Sequence, residues 1–370
     1  MRKNLLIALL LTATLAGCRQ EAGPAPDTSI DYTVREVDFL GPELNIDGIY
    51  PSMRGPAGTD LVALKPNSNE LGWITGFRSV MMNGDGESQA SQEYMCHTNL
   101  DLTALEQHIQ SRGVERFNPG RLFTISQGQQ EVNLPKGFGL PIRMGQPMAA
   151  GVQALNLNHA VDQAFKLRHK LTFRFVEDSQ VKGKMVPLFT KSGVVLKAID
   201  GNCKYYGEDH EGNMAGGACL IGNPAVKEDV FADENGNPFT AHWVVEKGTE
   251  ENHTVVTEML ELPYDTTIHY ILAHVHPFCE SLELRDLTTG ESVVKLEMKQ
   301  VENQIGLSHT EHFESVEGLP LYKDHGYEMV SIYNNTSDKE QDAMAVMIFF
   351  LKDKTFDADA YLKGTGQQKS

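Results

Sequence analysis

Short segments in which apolar and polar residues alternate recur along the chain. Residues 71–77, 170–176 and 281–285 largely follow this alternation, which is the period-2 pattern of a half-buried β-strand. Residues 254–262 and 345–351 also favour strands. Turns rich in Gly, Pro, Asn and Asp separate these segments. The pattern therefore predicts an all-β protein built from tandem, jelly-roll-like β-sandwiches.

Length and composition suggest how these strands are divided. Without a leader, about 350 residues remain, which is enough for two ordinary domains. We place the first sandwich at residues 31–185 and the second at 186–360, followed by a polar tail at 361–370. Residues 200–240 are rich in Gly, Asn and acidic side chains, which indicates a long inserted loop. Only residues 101–109 have apolar positions at a convincing helical spacing.

The first 17 residues have the pattern of an export signal. Arg2 and Lys3 precede the apolar run 5–11, which is too short to span a bilayer. A Leu-Ala-Gly triplet then leads into Cys18, as in the box that a lipoprotein signal peptidase cleaves. We therefore expect Cys18 to carry lipid, with an ordinary secretory signal as the alternative.

The residues that follow indicate where the protein is anchored. Residues 18–30 are mostly polar and rich in Pro and Gly, which is typical of a flexible tether. Arg rather than Asp at position 19 favours the outer membrane of a Gram-negative cell. We expect a protein of the cell envelope, held on the membrane through Cys18 and facing the periplasm or the cell surface.

The charge of the chain bears on its partners. It has 50 acidic residues against 32 Lys and Arg, for a formal net charge of -18. A surface of this sign repels the phosphate backbone, so we expect no nucleic-acid partner.

Four cysteines besides Cys18 raise the question of disulfides. In an oxidising compartment they allow two bridges, with three possible connectivities. Cys203 and Cys219 flank a Gly-rich loop and are the best-placed pair. Cys96 and Cys279 each lie near histidines, so their state bears on function.

The sharpest histidine motif is the pair His274 and His276. Two residues apart on a strand, both side chains lie on the same face and can reach one metal ion. A His-x-His pair also occurs in proteins without a metal. The motifs elsewhere in the chain are therefore needed to distinguish a metal site from a structural pair.

Further short motifs precede and follow this pair in a fixed order. Residues 134–139 are Leu-Pro-Lys-Gly-Phe-Gly, with Cys96-His97 upstream and His159 downstream. Thr-Ser at 336–337 and Asp-Ala-Met at 342–344 come after the His-x-His pair. This order resembles the copper type II, ascorbate-dependent monooxygenases, the family of peptidylglycine α-hydroxylating monooxygenase and dopamine β-monooxygenase.

The resemblance implies two sandwiches that each hold one copper and face one another across an open cleft. The second-half ligands fall on His274, His276 and Met344, where family members activate oxygen. A thioether beside two imidazoles suits copper, since soft ligands favour Cu(I). Met347, nearby on the same strand region, is the alternative to Met344.

The first-half site departs from the family pattern. His97 matches, but Cys96 stands where the family has a second His. The third ligand falls by strict register on Asn158, and His159 reaches the metal only if a bulge shifts the strand by one residue. A Cys96/His97/His159 site, a two-ligand site, no copper, or a disulfide of Cys96 with Cys279 all remain open, so we expect one or two coppers per chain.

The substrate position also differs from that of the peptide hydroxylases. Leu272 replaces the Arg that holds the peptide carboxylate, so an apolar or neutral small molecule fits better than peptidylglycine. The resemblance thus implies a copper-dependent monooxygenase that hydroxylates a C–H bond with O2 and an ascorbate-like reductant. A non-catalytic, copper-handling lipoprotein on the same scaffold is the main alternative, and a binding module without metal is a third.

Overall fold

The computed structural model of the protein describes residues 30–103, 120–199, 230–232 and 237–363. Nearly all of the regular structure in these residues is β-strand, so the prediction of an all-β protein is confirmed. None of the helices in these ranges is long and apolar enough to cross a membrane.

The largest sheet has ten strands and runs through both halves of the chain. Eight of them lie side by side in the spatial order β1 (Arg35–Leu40), β10 (Phe165–Glu177), β4 (Leu71–Asn83), β8 (Phe138–Arg143), β11 (Val186–Val194), β24 (Ala345–Lys352), β17 (Thr266–Val275) and β21 (Phe313–Leu321). The remaining two, β2 (Leu44–Ile46) and β7 (Glu131–Asn133), pair with β10 and β4. The halves join where β11 pairs in parallel with β8.

Two further sheets provide the opposing layers. The first half contributes β3 (Ala57–Val62), β9 (Met148–Ala154), β5 (Met95–Leu102) and β6 (Arg121–Ser126), in that spatial order. The second half contributes β16 (Gly248–Val255), β22 (Tyr327–Asn335), β18 (Cys279–Asp286), β19 (Glu291–Gln300) and β20 (Leu307–Thr310).

Short elements complete the described fold. Small sheets are formed by β12 (Lys197–Ala198), β14 (Pro238–Thr240) and β13 (Val230–Ala232), and by β15 (Trp243–Val245) with β23 (Gln341–Ala343). The helical elements are α1 (Thr257–Leu260), α2 (Ala358–Leu362) and the 3₁₀ turns Gln92–Tyr94 and Asp178–Gln180.

Strand composition explains strand position. Strand β24 has the continuous apolar run Ala-Val-Met-Ile-Phe-Phe-Leu and is buried on both faces in the middle of the large sheet. Strand β17 beside it is almost as completely buried. Strand β16 alternates half-buried and exposed residues and lies at a sheet edge. Central and edge strands are therefore sorted by their apolar content.

The hydrophobic core is continuous across the two halves. Phe123 of β6 stacks on Phe77 of β4 and also contacts Phe350 of β24, with ring centroids 5.5 Å apart in the second contact. Gln129 donates a hydrogen bond of 2.9 Å to the hydroxyl of Tyr270 on β17. The first-half sheet thus packs directly on β17 and β24, where the resemblance implied an open cleft.

Two segment predictions differ from the structure. The apolar pattern predicts one strand over residues 254–262, but β16 ends at Val255 and residues Thr257–Leu260 form a helical turn. A short apolar run does not distinguish a strand from a buried helical turn, since Met259 and Leu260 are buried either way.

The predicted helix at residues 101–109 begins with strand residues, because β5 extends to Leu102; the part from residue 104 onwards lies outside the described residues. Most of the predicted loop at 200–240 also lies outside them, although its end includes β13 and β14. The predicted polar tail begins with Tyr361 and Leu362, which still belong to α2.

Removing the Phe350 ring should destabilise both halves together. We expect Phe350→Ala to lower the free energy of unfolding by about 3–5 kcal/mol, because a buried aromatic is lost from a shared core. Trp73 and Trp243 lie in different halves, so denaturant unfolding followed by tryptophan fluorescence in Trp73→Phe and Trp243→Phe backgrounds reports each half separately. Leu61→Ala, at a residue 69% exposed, is the control and should change stability by about 0.5 kcal/mol or less. If the unfolding transition reported by Trp73 had the same midpoint with and without Phe350→Ala, the result would contradict a core shared by the two halves.

Candidate functional site

Four buried histidine rings form a row where the two halves of the chain meet. The centroid of His97 lies 5.8 Å from that of His274, His274 lies 5.6 Å from His276, and His276 lies 5.5 Å from His242. Each of these residues is at most 3% exposed. The row therefore combines the predicted His-x-His pair with one histidine from the first half and with His242.

Strand pairing fixes what lies beside the His-x-His pair. His274 stands opposite Val346 in the antiparallel pairing of β17 with β24. The N–H of His276 donates to the carbonyl oxygen of Met344 at 3.2 Å, which continues the same pairing by two residues. Directly opposite residues share a face, so Met344 lies on the face of both histidines. Met347 stands opposite Ala273, on the other face.

His97 reaches this row because of the alternation of β5. Its neighbour Thr98 points into the first sandwich, where its hydroxyl lies 2.9 Å from Nδ1 of His169 and 2.7 Å from Oγ of Ser79. Successive side chains of a strand point to opposite faces, so His97 points outwards to His274. No local sequence pattern predicts this contact between distant strands.

His242 is a site residue that the sequence interpretation missed. It lies between β14 and β15, and its backbone is held by Thr240, whose Oγ1 accepts from the His242 N–H at 3.0 Å. It belongs to no His-x-His motif, and only the tertiary fold brings its ring to His276. No sequence signal beyond the side chain itself marks it.

Several nitrogen atoms of the row are buried and lack a hydrogen bond. Among the described residues, neither ring nitrogen of His274 has a hydrogen-bond partner, and Nε2 of His276 has none. An unsatisfied buried polar atom costs about 1–3 kcal/mol, and buried polar groups are rarely left without a partner. These nitrogens are therefore placed to accept a ligand.

Burial also keeps the imidazoles of His274 and His97 neutral. Desolvation, followed by the proximity of His276 and His97, holds the pKa of His274 well below its ordinary value. Desolvation, followed by the charge of Arg121, does the same to the pKa of His97. A neutral imidazole keeps one nitrogen lone pair for a ligand, which is the form that binds metal ions.

A buried carboxylate adjoins the row. Oδ2 of Asp342 lies 2.6 Å from Nδ1 of His276, an ion-pair distance, although the oxygen lies off the direction of a directed hydrogen bond. Burial alone would raise the pKa of Asp342, but the proximity of His276 and His242 and a contact with Ser52 lower that pKa on balance. Asp342 is therefore ionised within the fold.

The two cysteines near the histidines are free thiols. Sγ of Cys96 lies 3.2 Å from Nδ1 of His97, and burial raises the pKa of this thiol to about 12. The thiol of Cys279 donates to the carbonyl oxygen of Ser281. Because both are free, the alternative of a Cys96–Cys279 disulfide is wrong. The predicted Cys203–Cys219 pair lies outside the described residues.

The structure does not bring His159 to His97. Nε2 of His159 lies 2.8 Å from Oε2 of Glu93, and its side chain is 43% exposed, whereas His97 is fully buried. Asn158 instead exchanges two hydrogen bonds of 2.9 Å with the backbone of Ile305 in the second half. Within the ranges that the structure describes, no group of three or more His, Cys, Asp or Glu side chains is arranged to hold a metal ion.

Comparison with known proteins gives no family. No family model matches the chain, and no curated protein is significantly similar to it. Similar solved structures include PNGase F, a glycosylasparaginase from Flavobacterium meningosepticum (TM-score 0.37, 7% identity, 87% of this chain and 97% of that one). Others are PNGF-II (0.37, 8%, 87% and 66%) and the STIV MCP (0.32, 9%, 86% and 96%). At these values the likenesses carry no functional argument.

The inferred membership of the copper type II monooxygenases is wrong. No family model of these monooxygenases matches the chain, and no curated protein of that family is significantly similar to it. The described residues also contain no group of three or more His, Cys, Asp or Glu side chains that could hold a metal ion. The hydroxylation of a C–H bond, the oxidoreductase class and the copper-handling alternative all came from that resemblance and are corrected with it.

The buried His169 predicts a loss of stability in acid. Desolvation lowers the pKa of His169 from 6.5 to about 4 in the folded protein. At pH values between about 4 and 6.5 this side chain is therefore protonated in the unfolded chain and neutral in the folded protein. Stability therefore falls as the pH falls, by about 2 kcal/mol from this residue between pH 7.5 and 5. Urea unfolding at both pH values should show a smaller difference in His169→Gln than in wild type. His309→Gln, at an exposed residue, is the control. An equal pH dependence in His169→Gln and wild type would contradict the assignment.

Proposed function

We propose that His274, His276 and Met344 bind a single soft transition-metal ion, and that Cu(I) is the ion they fit best. The observation that supports this is the set of buried, unsatisfied nitrogens of His274 and His276 on the same sheet face as Met344. The proposal is one of binding. It assigns the ion no reaction and no transport role.

The types of ligand atom favour a soft ion. Neutral imidazole binds several transition metals, but a thioether selects soft ions, Cu(I) above all. Zinc sites prefer four ligands drawn from Cys, His, Asp and Glu, and no such group of three or more is found in the described part of the chain. A set of two histidines and a methionine is a different kind of site, and it suits an ion that accepts few ligands.

The spacing of the two rings is compatible with one shared ion. Their centroids are 5.6 Å apart. Two imidazoles that each bind one ion through a nitrogen at about 2 Å can have centroids up to about 6.5 Å apart. His274 and His276 also lie at the buried end of β17, so little ordering of their side chains is needed on binding.

Only one ion is proposed, in the second half of the chain. Cys96 and His97 adjoin the row from the first half, but His159 is engaged by Glu93 at the surface. A first-half site of Cys96, His97 and His159 would need these three side chains together. His97 is instead a buried neighbour of the ring of His274 and helps to exclude water from it.

Copper stoichiometry tests this proposal. We expect the reduced protein to bind one Cu(I) per chain and a His274→Ala/His276→Ala variant to bind none, measured by competition with a chromophoric Cu(I) chelator. Met344→Leu should weaken binding about tenfold or more, equivalent to about 1.4 kcal/mol, because the thioether is lost.

The matched control is Met347→Leu. Met347 is just as buried, but it lies on the opposite face of the strand. A Met-to-Leu change conserves volume and should cost less than about 1.5 kcal/mol of stability at either position. Equal Cu(I) affinities of Met344→Leu and Met347→Leu would contradict the assignment of Met344 as a ligand. A wild-type protein that binds no Cu(I) would contradict the whole proposal.

We also propose that the protein is anchored to the cell envelope through lipid on Cys18, as the signal box indicates. Metabolic labelling with a radioactive fatty acid should label the wild type and not Cys18→Ser, and membrane fractionation should release the variant. Cys219→Ser is the control, since a cysteine outside the signal box should not matter. Label retained in Cys18→Ser would contradict lipidation at this residue.

A further inference from the structure

We infer that Asp342 is a positioning residue for the ion site: it holds the N–H of His276 on Nδ1, which leaves Nε2 as the free donor atom, and it supplies the counter-charge of the ion. The inference deepens the proposed function and rests on it for the counter-charge. The tautomer of His276 can be tested without any metal.

The first support is the distance between the two groups. Oδ2 of Asp342 and Nδ1 of His276 are 2.6 Å apart, and both residues are nearly inaccessible to solvent. If Nδ1 carried a lone pair, it would face the lone pairs of an anionic oxygen at this distance with little water to screen them. Only the tautomer with its proton on Nδ1 makes the contact attractive.

The second support is the state of the other ring nitrogen. With the proton on Nδ1, the lone pair lies on Nε2, which has neither a hydrogen-bond partner nor a carboxylate at ion-pair distance among the described residues, whereas Nδ1 has Oδ2 of Asp342 at 2.6 Å. Metal-bound histidines commonly donate their second N–H to a carboxylate, which fixes the orientation of the ring. In the fold without an ion, His276 already has a carboxylate oxygen 2.6 Å from its Nδ1.

The third support is that Asp342 is itself held from both halves of the chain. It belongs to β23 of the second half, and Ser52, which precedes β3 in the first half, lies close enough to its carboxyl group to lower the pKa of that group. Its position is therefore set by the packing of the two halves and does not depend on a bound ion.

Charge gives the carboxylate its second role. A cation buried without an anion is very costly, and one carboxylate balances one monovalent ion. The nearby charge of Arg121 is already paired, since its Nε lies 2.5 Å from Oδ1 of Asp101. Asp342 is thus the carboxylate in contact with the histidine row that can neutralise Cu(I).

Two variants separate the two roles. Asp342→Asn keeps an oxygen that can accept from Nδ1 but removes the charge, whereas Asp342→Leu removes both. We expect ¹⁵N NMR of histidine-labelled, metal-free protein to show the Nδ1–H tautomer of His276 in wild type and Asp342→Asn. In Asp342→Leu the Nε2–H tautomer should appear. Cu(I) affinity should fall about tenfold or more in Asp342→Asn and further in Asp342→Leu.

The control is Asp286→Asn. Asp286 is equally buried and its Oδ2 lies 2.6 Å from Nδ1 of His325, so the chemistry matches while the location differs. This variant should leave the tautomer of His276 and the Cu(I) affinity unchanged.

The outcomes distinguish the inference from the proposed function. Wild-type protein that binds Cu(I) but carries the Nε2–H tautomer on His276 would overturn the positioning role alone. Unchanged Cu(I) affinity in Asp342→Asn would overturn the counter-charge. Wild-type protein that binds no Cu(I) would contradict the proposed function and the counter-charge together, while an Nδ1–H tautomer lost in Asp342→Leu would still support the positioning of His276.

Discussion

The pairing of β17 with β24 is the interaction on which the rest of the site depends. Both strands are buried on both faces in the centre of the large sheet, so their register is held by apolar contacts on each side. That register places Met344 opposite His276 and Val346 opposite His274. A slip of one residue would place Ala343 or Ala345 opposite His276 and would turn Met344 to the other face of the sheet.

The packing of the two halves against each other determines which side chains surround this sheet face and excludes water from it. Strand β5 brings His97 against His274, and the segment before β3 brings Ser52 to Asp342. The resulting exclusion of water lowers the pKa of His274 and leaves its nitrogens unsatisfied. At the surface these nitrogens would bond to water, but buried without a partner they cost folding free energy. Binding a ligand would recover that free energy.

The sequence predicted the fold class and the local elements better than the long-range contacts. Alternation identified β4, β10 and β18, and the apolar run at 345–351 identified β24. The His-x-His spacing was enough to place His274 and His276 on one face. His242 and the contact of His97 with His274 join distant segments, and local patterns contain no information on such contacts. Short motifs in the right order also suggested a family that the comparisons do not support.

The ligand set of the bound ion tests the central claim most directly. X-ray absorption at the copper edge of the Cu(I)-loaded wild-type protein reports the atoms bound to the metal. We predict two imidazole nitrogens and one sulfur scatterer, with the sulfur lost in Met344→Leu and kept in Met347→Leu. A spectrum with no sulfur, or a protein that retains no copper after desalting, would contradict a His274/His276/Met344 site.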